Sequence, residues 1–169
     1  NNEIGVIQPL DRLLVIARAA GVPTLCDAVQ GFGRLLAPQA DMIAITAHKI
    51  HGPKGVGALW MRDEIDLPPL MHGGGQEQGL RSGTLSPMLC AGFGVAAQIA
   101  AENRHADLAH VEALWVRARD LFADWQINGA IDARYHGNLN IRRSGLDAAR
   151  LLSDVREVAF SLGSACASG

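Results

Sequence analysis

The sequence predicts an α/β fold, and three observations predict it. Residues 9–20 carry apolar side chains at helical spacing, three short apolar runs follow between glycines, prolines and polar residues, and the composition is that of a globular chain. Of the 169 residues, 49% are hydrophobic and 19% charged, and 19 glycines supply turns. The length bounds the chain to one domain with at most a small appendage, and a second, smaller α/β unit is expected to begin in the tail near Leu139.

The helix over 9–20 begins at Pro9, whose fixed φ suits a first turn, and places Leu10, Leu13, Leu14 and Ala17 on one stripe before Gly21 ends it. Strands are expected over 24–26, 41–46 and 55–61, each bounded by Gly, Pro or polar residues. Residues 67–87 are rich in Gly and Pro and read as a loop. The stretch 88–125 is helical in character, with Leu108, Val111, Leu114 and Trp115 at helical spacing and a bend or break expected near His105. A strand over 139–141, a helix over 146–155 and a strand over 158–161 complete the reading. No internal repeat or low-complexity segment is present.

A formal charge of -2 gives no electrostatic reason to expect direct nucleic-acid binding or an anionic membrane as partner. The most apolar stretch, 90–101, is interrupted by Gly92, Gly94 and Gln98 and is shorter than the ~20 residues of a membrane span. The first residues have neither an initiator Met nor a secretory layout, so the chain reads as a fragment or a processed product. Cys26, Cys90 and Cys166 are widely separated and form no CxxC pair, which argues against a disulfide framework and against a zinc site. A reducing cytoplasm is the expected location.

Several residues are candidates for chemistry. Lys49 and His48 follow an apolar strand directly, at the end where open α/β sheets bind ligands, although a basic surface turn would look the same. Asp27 closes the preceding strand, so a carboxylate and an amine stand at the ends of successive strands and can face one crevice; a turn or capping carboxylate is the alternative. Such an acid opposite a pyridinium nitrogen keeps it protonated, while a nearby lysine forms a Schiff base. The stretch from His72 to Thr84 offers backbone N–H groups, Arg81 and two hydroxyls, which suit a phosphate or carboxylate, or it is a flexible connector. Neither GxGxxG at a strand–helix junction nor GxxxxGK followed by Ser or Thr occurs. Cys166 lies among small residues that bury it poorly, as a reachable nucleophile or an inert loop cysteine. Cys26 and Cys90 read as core residues, and His105, His110 and His136 as solvated side chains.

Five blocks in order, NNEIG at 1–5, CDAVQ at 26–30, TAHKIHGPKGVG at 46–57, GGGQEQGLRSGT at 73–84 and GSACAS at 163–168, resemble the cysteine desulfurases of the class V pyridoxal-phosphate aminotransferases. The resemblance implies a fold type I large domain, with 1–95 as its C-terminal part, and over 96–169 a linking helix and the start of a small domain bearing the Cys166 loop. It implies pyridoxal 5'-phosphate as cofactor, linked to Lys49, with Asp27 on the pyridine nitrogen and Asn2 and Gln30 on the ring oxygen. Thr46 and His48 would bind the phosphate, and Thr84 the phosphate of the other subunit of a homodimer. Cys166 would accept sulfur from L-cysteine as a persulfide, releasing L-alanine, and pass it to an acceptor protein serving iron–sulfur cluster assembly or tRNA thiolation. No metal is implied. The family's upstream segment that stacks on the ring and its downstream carboxylate-binding arginine have no counterpart here, so these residues alone are expected to be inactive.

Two alternatives keep part of this reading. One retains fold and cofactor but makes the reaction a transamination or lysis in which Cys166 is incidental. The other is a truncated, inactive paralogue that acts as a binding module.

Overall fold

The computed structural model describes residues 1–163, and Cys166 lies outside them. The described chain divides into two compact units: residues Pro9–Ala106, and residues Asn1–Gln8 together with those from Asp107 onward.

In the unit Pro9–Ala106, helix α1 (Leu10–Ala19) starts one residue after Pro9 and buries Leu14 from the expected apolar stripe. Its end is set by Gly21 at φ 66°: Val22 N–H reaches the Ala17 carbonyl at 3.0 Å and Gly21 N–H the Arg18 carbonyl at 3.2 Å, closing orphan carbonyls where a side chain at positive φ would be strained. Strand β1 (Leu25–Asp27) pairs in parallel with β2 (Met42–Thr46), in the register Leu25↔Met42, Cys26↔Ile43 and Asp27↔Ala44. Strand β3 (Gly57–Met61) returns antiparallel to β2, from Thr46↔Gly57 to Met42↔Met61. The sheet order is therefore β1-β2-β3, with β2 central.

Asp41 fixes the entry to β2. Its Oδ2 accepts from Thr24 N–H at 2.9 Å and from the Thr24 hydroxyl at 2.7 Å. These bonds, aided by Arg62 at 3.6 Å, hold the carboxyl below the usual carboxylate range. A depressed native pKa stabilises the fold above the unfolded carboxylate pKa, and this contribution is lost as pH falls through the native value. Asp41→Asn should therefore lower stability at neutral pH and flatten the acid limb of the stability–pH curve, measured by denaturant unfolding from neutral pH into the acid limb. An unchanged acid limb would contradict the assignment.

The loop over 67–87 contains one short 3-10 turn, Glu77–Gly79, and a bridge between Met71 and Arg81. Helix α2 (Pro87–Leu121) follows as one helix, without the break expected near His105. The sequence between Gly94 and Leu121 holds no Pro or Gly to interrupt the ladder. The helix ends at Leu121, and a turn closed by Trp125 N–H on the Phe122 carbonyl takes the place of its expected last residues.

In the second unit, β4 (Gln126–Ile127) and β5 (Ile141–Arg142) form an antiparallel pair, and α3 (Ala148–Asp154) is capped by Asp147, whose Oδ1 accepts Arg150 N–H at 3.0 Å. The strand expected over 158–161 does not form: Val158 and Phe160 are exposed and meet no partner strand among the described residues. Nor is any described helix long and apolar enough to cross a membrane.

Candidate functional site

The unit Pro9–Ala106 gathers candidate residues at one edge of its sheet. Asp27 ends β1 opposite Ala44, and Thr46 ends β2 two residues later. Because the two strands are parallel neighbours, Asp27 and the segment from Thr46 to Lys49 leave the sheet at the same, carboxyl, edge. The backbone then folds into a 3-10 turn, Ala47–Ile50, that carries His48 and Lys49.

This turn is anchored by the residues around the lysine. Ala47 is 0% and Ile50 6% exposed, whereas His48 is exposed and Lys49 half-buried. The turn closes on His51 at φ 66° and on a bond from Gly52 N–H to the Ala47 carbonyl at 3.0 Å. Gly52 has no room for a side chain: a Cβ there would lie 3.0 Å from both the Cβ and the carbonyl oxygen of Ala47 and 3.1 Å from Ala96 Cβ. Gly92 meets Pro53 and Gly33 meets Ile50 and Ala100 at similarly short distances. Gly92, Ala96 and Ala100 follow at intervals of four, so the small-residue face of α2 supports the Lys49 turn.

Thr46 donates its hydroxyl to the Val56 carbonyl at 3.1 Å and lies 3.0 Å from His48 Nδ1. With its one proton given to Val56, the hydroxyl accepts from Nδ1, which leaves His48 Nε2 as the ring nitrogen open to a ligand. Asp27 is exposed, and its Oδ1 accepts Val29 N–H at 3.0 Å. Gln30 is exposed beyond it. Cys26, expected in the core, is half-buried; burial, and then the charge of Asp27, push its pKa up and favour the protonated thiol. Cys90 departs from expectation and is exposed. Two residues before Gly92, it stands roughly 200° around the helix from the packed face.

The glycine loop turns much of its polarity inward. Ser82 is buried and its Oγ accepts Gly75 N–H at 3.3 Å, Gln76 Oε1 accepts Gly83 N–H at 2.9 Å, and Arg81 donates to the Ser82 carbonyl at 3.0 Å. Of the two hydroxyls read as anion ligands, Thr84 is the exposed one. Glu77 and Gln78 sit at φ 50° and 56°, a left-handed conformation that is strained for side-chain-bearing residues.

Asn2 lies in the other unit. Its carbonyl accepts Asn138 Nδ2 at 2.8 Å, the Glu3 carbonyl accepts Asn140 Nδ2 at 2.9 Å, and the Ile4 carbonyl accepts Arg134 Nη2 at 2.5 Å. Sequence reading missed this clamp on the first residues; the pattern NLN around Asn138 and Asn140 is its one sequence trace. It also missed Arg34, whose guanidinium donates to the Gln30 carbonyl at 3.0 Å and the Lys49 carbonyl at 2.9 Å.

The profile of the aminotransferase class-V family matches residues 1–168. The chain belongs to this family. Class-V aminotransferases work with pyridoxal 5'-phosphate, and the chain shares the mixed α/β fold of the pyridoxal-phosphate-dependent cysteine desulfurases. The cysteine desulfurase IscS of Rickettsia akari is 42% identical over 178 residues, which cover 99% of this chain and 43% of that protein. The structure of DndA from Streptomyces lividans superposes with a TM-score of 0.81 at 38% identity, covering 93% of this chain and 47% of DndA. SspA, solved in complex with cysteine, superposes at 0.75 and 33% identity over 98% of this chain and 48% of its own. The class-V chain thus spans less than half the length of these relatives. Its donor set fits the family's cofactor: a carboxylate for a protonated ring nitrogen, an amine for an aldehyde, and a hydroxyl and an imidazole for a phosphate stand at one sheet edge.

Proposed function

We propose that the full-length protein is a cysteine desulfurase that converts L-cysteine to L-alanine and carries the sulfur on Cys166. The observation that carries this reading is the exit of Asp27 and Lys49 from adjacent parallel strands, in a class-V chain whose relatives bear the desulfurase name.

Bound pyridoxal 5'-phosphate supplies an electron sink for a carbanion at the substrate Cα. Asp27 would keep the ring nitrogen protonated, and by the family resemblance Asn2 and Gln30 would bond the ring oxygen. Thr46 and His48 would hold the phosphate, joined by Thr84 of the partner subunit. Lys49 would anchor the cofactor through its amine and, with substrate bound, would stand as the general base for the Cα proton. The Cys166 thiolate attacks the substrate sulfur; an S–S bond forms, the Cβ–S bond breaks, and its electrons return with protons to leave alanine. The persulfide then passes to a sulfur-acceptor protein, for iron–sulfur cluster assembly or tRNA thiolation, in a reducing cytoplasm that keeps Cys166 a thiol.

A homodimer is part of this reading. It rests on Thr84, which by the family resemblance would reach the phosphate held by the partner subunit.

In the full-length protein supplied with pyridoxal phosphate and L-cysteine, alanine should appear in step with sulfane sulfur. Cys166→Ser should lose the persulfide and bring alanine release to background. Alanine release that survives this substitution would point instead to transamination or lysis.

A further inference from the structure

The paired ladder of β1 and β2 reaches Asp27↔Ala44 and ends with Ala28 N–H on the Ala44 carbonyl at 3.0 Å. Beyond it the two chains part, one towards Gln30 and the other towards Lys49. Arg34 joins them again. Residues 28–35 form consecutive turns, with Phe32 N–H on the Ala28 carbonyl at 2.8 Å and Leu35 N–H on the Gly31 carbonyl at 2.8 Å, which brings the Arg34 side chain over its own segment. From there Nη1 donates to the Gln30 carbonyl at 3.0 Å and Nη2 to the Lys49 carbonyl at 2.9 Å. One guanidinium thus ties the segment after β1 to the turn after β2.

Two features make this more than a surface bond. The guanidinium is planar and rigid, so two carbonyls bonded to its separate nitrogens have their spacing fixed, which a single ammonium point charge does not achieve. Gly33, at φ 77°, brings the same two segments into contact, since a Cβ there would lie 3.0 Å from Ile50 Cγ2. The close approach at Gly33 and the fork at Arg34 act on residues directly beside Lys49.

We propose that Arg34 is a positioning residue, which sets the separation of the Gln30 and Lys49 carbonyls and thereby aligns the Lys49 amine with the Asp27 carboxylate across the cofactor. This rests on the cofactor reading above and adds to it the element that holds the two strand ends in register past the end of their ladder.

The test uses the full-length protein with Arg34→Met and Arg34→Lys. Three quantities are read: thermal unfolding without cofactor, the fraction of Lys49 labelled by pyridoxal phosphate and borohydride as cofactor is titrated, and the pH midpoint of the bound cofactor's visible absorption. Loss of both charge-assisted bonds should raise the cofactor concentration needed for half-labelling by about tenfold in Arg34→Met and move the pH midpoint, with Arg34→Lys in between. Should Arg34→Met fail to fold, Arg34→Lys carries the test alone and must show the shift. Variants that fold and match the wild type in half-labelling and in pH midpoint overturn the proposal, as does a wild-type Arg34→Lys. Absence of label on Lys49 in the unaltered protein would overturn the cofactor reading and this proposal with it, whereas normal labelling in every variant overturns this proposal alone.

Discussion

Lys49→Ala should abolish covalent attachment of pyridoxal phosphate to the full-length protein and lower kcat/KM for alanine formation by about 10³-fold or more, from loss of a general base together with the cofactor's anchor. The fold should survive it. The turn bearing Lys49 is held by Ala47 and Ile50, both buried, by the Gly52 N–H bond and by the Arg34 bond to the Lys49 backbone carbonyl, none of which uses the lysine side chain. The unfolding free energy should accordingly change by no more than ~0.5 kcal/mol, the usual range for a substitution outside the packed core. Steady-state alanine assays beside denaturant unfolding of wild type and variant check both halves. Activity above a tenth of wild type would remove the amine from the chemistry, and a large stability loss would reassign it to the fold.

Much of this edge was legible in the sequence because its signals are local. Pro9, the Leu10–Leu14 stripe and Gly21 mark α1, and the apolar runs ending at Asp27 and Thr46 mark β1 and β2 to within a residue or two. The resemblance of five short blocks then supplied the family, which the profile match over residues 1–168 bears out. What stayed hidden depends on partners distant in sequence. Nothing local says that β3 returns antiparallel, or that Val158 meets no neighbouring strand among the described residues while Ile141 does. Arg34 reads as one more surface cation until the Lys49 carbonyl, 15 residues on, is placed beside it. Arg134 meets the Ile4 carbonyl across 130 residues. His136, expected to be solvated, stacks on Trp115 with ring centroids 4.5 Å apart and planes within 3°, and its Nδ1 lies 2.5 Å from Glu112 Oε2. Only the fold brings those three side chains to one place.

That cluster sets the largest stability effect expected within the unit containing residues 107–163. Trp115 is 3% exposed, and beside the His136 ring it meets Arg134, whose Cζ lies 5.0 Å from its ring centroid. Arg134 is itself buried, and burial pushes its pKa down from the usual guanidinium value because desolvation disfavours the charge. Its two terminal nitrogens answer that cost, Nη1 with bonds to the carbonyls of Asn128 and Ala130 at 3.2 Å and Nη2 with one to Ile4 at 2.5 Å, and the Trp115 face covers it as a cation–π partner. Trp115→Ala therefore removes a buried aromatic, leaves a cavity, and uncovers an arginine that holds the segment bearing Asn2. The expected loss is about 3–5 kcal/mol in denaturant unfolding of the full-length protein, with Trp115→Phe losing less because a ring remains under the guanidinium. A Trp115→Ala loss below about 1 kcal/mol, the level of an ordinary substitution, would mean that the ring contributes no more than a surface side chain and that the first residues are held by Asn138 and Asn140 without it.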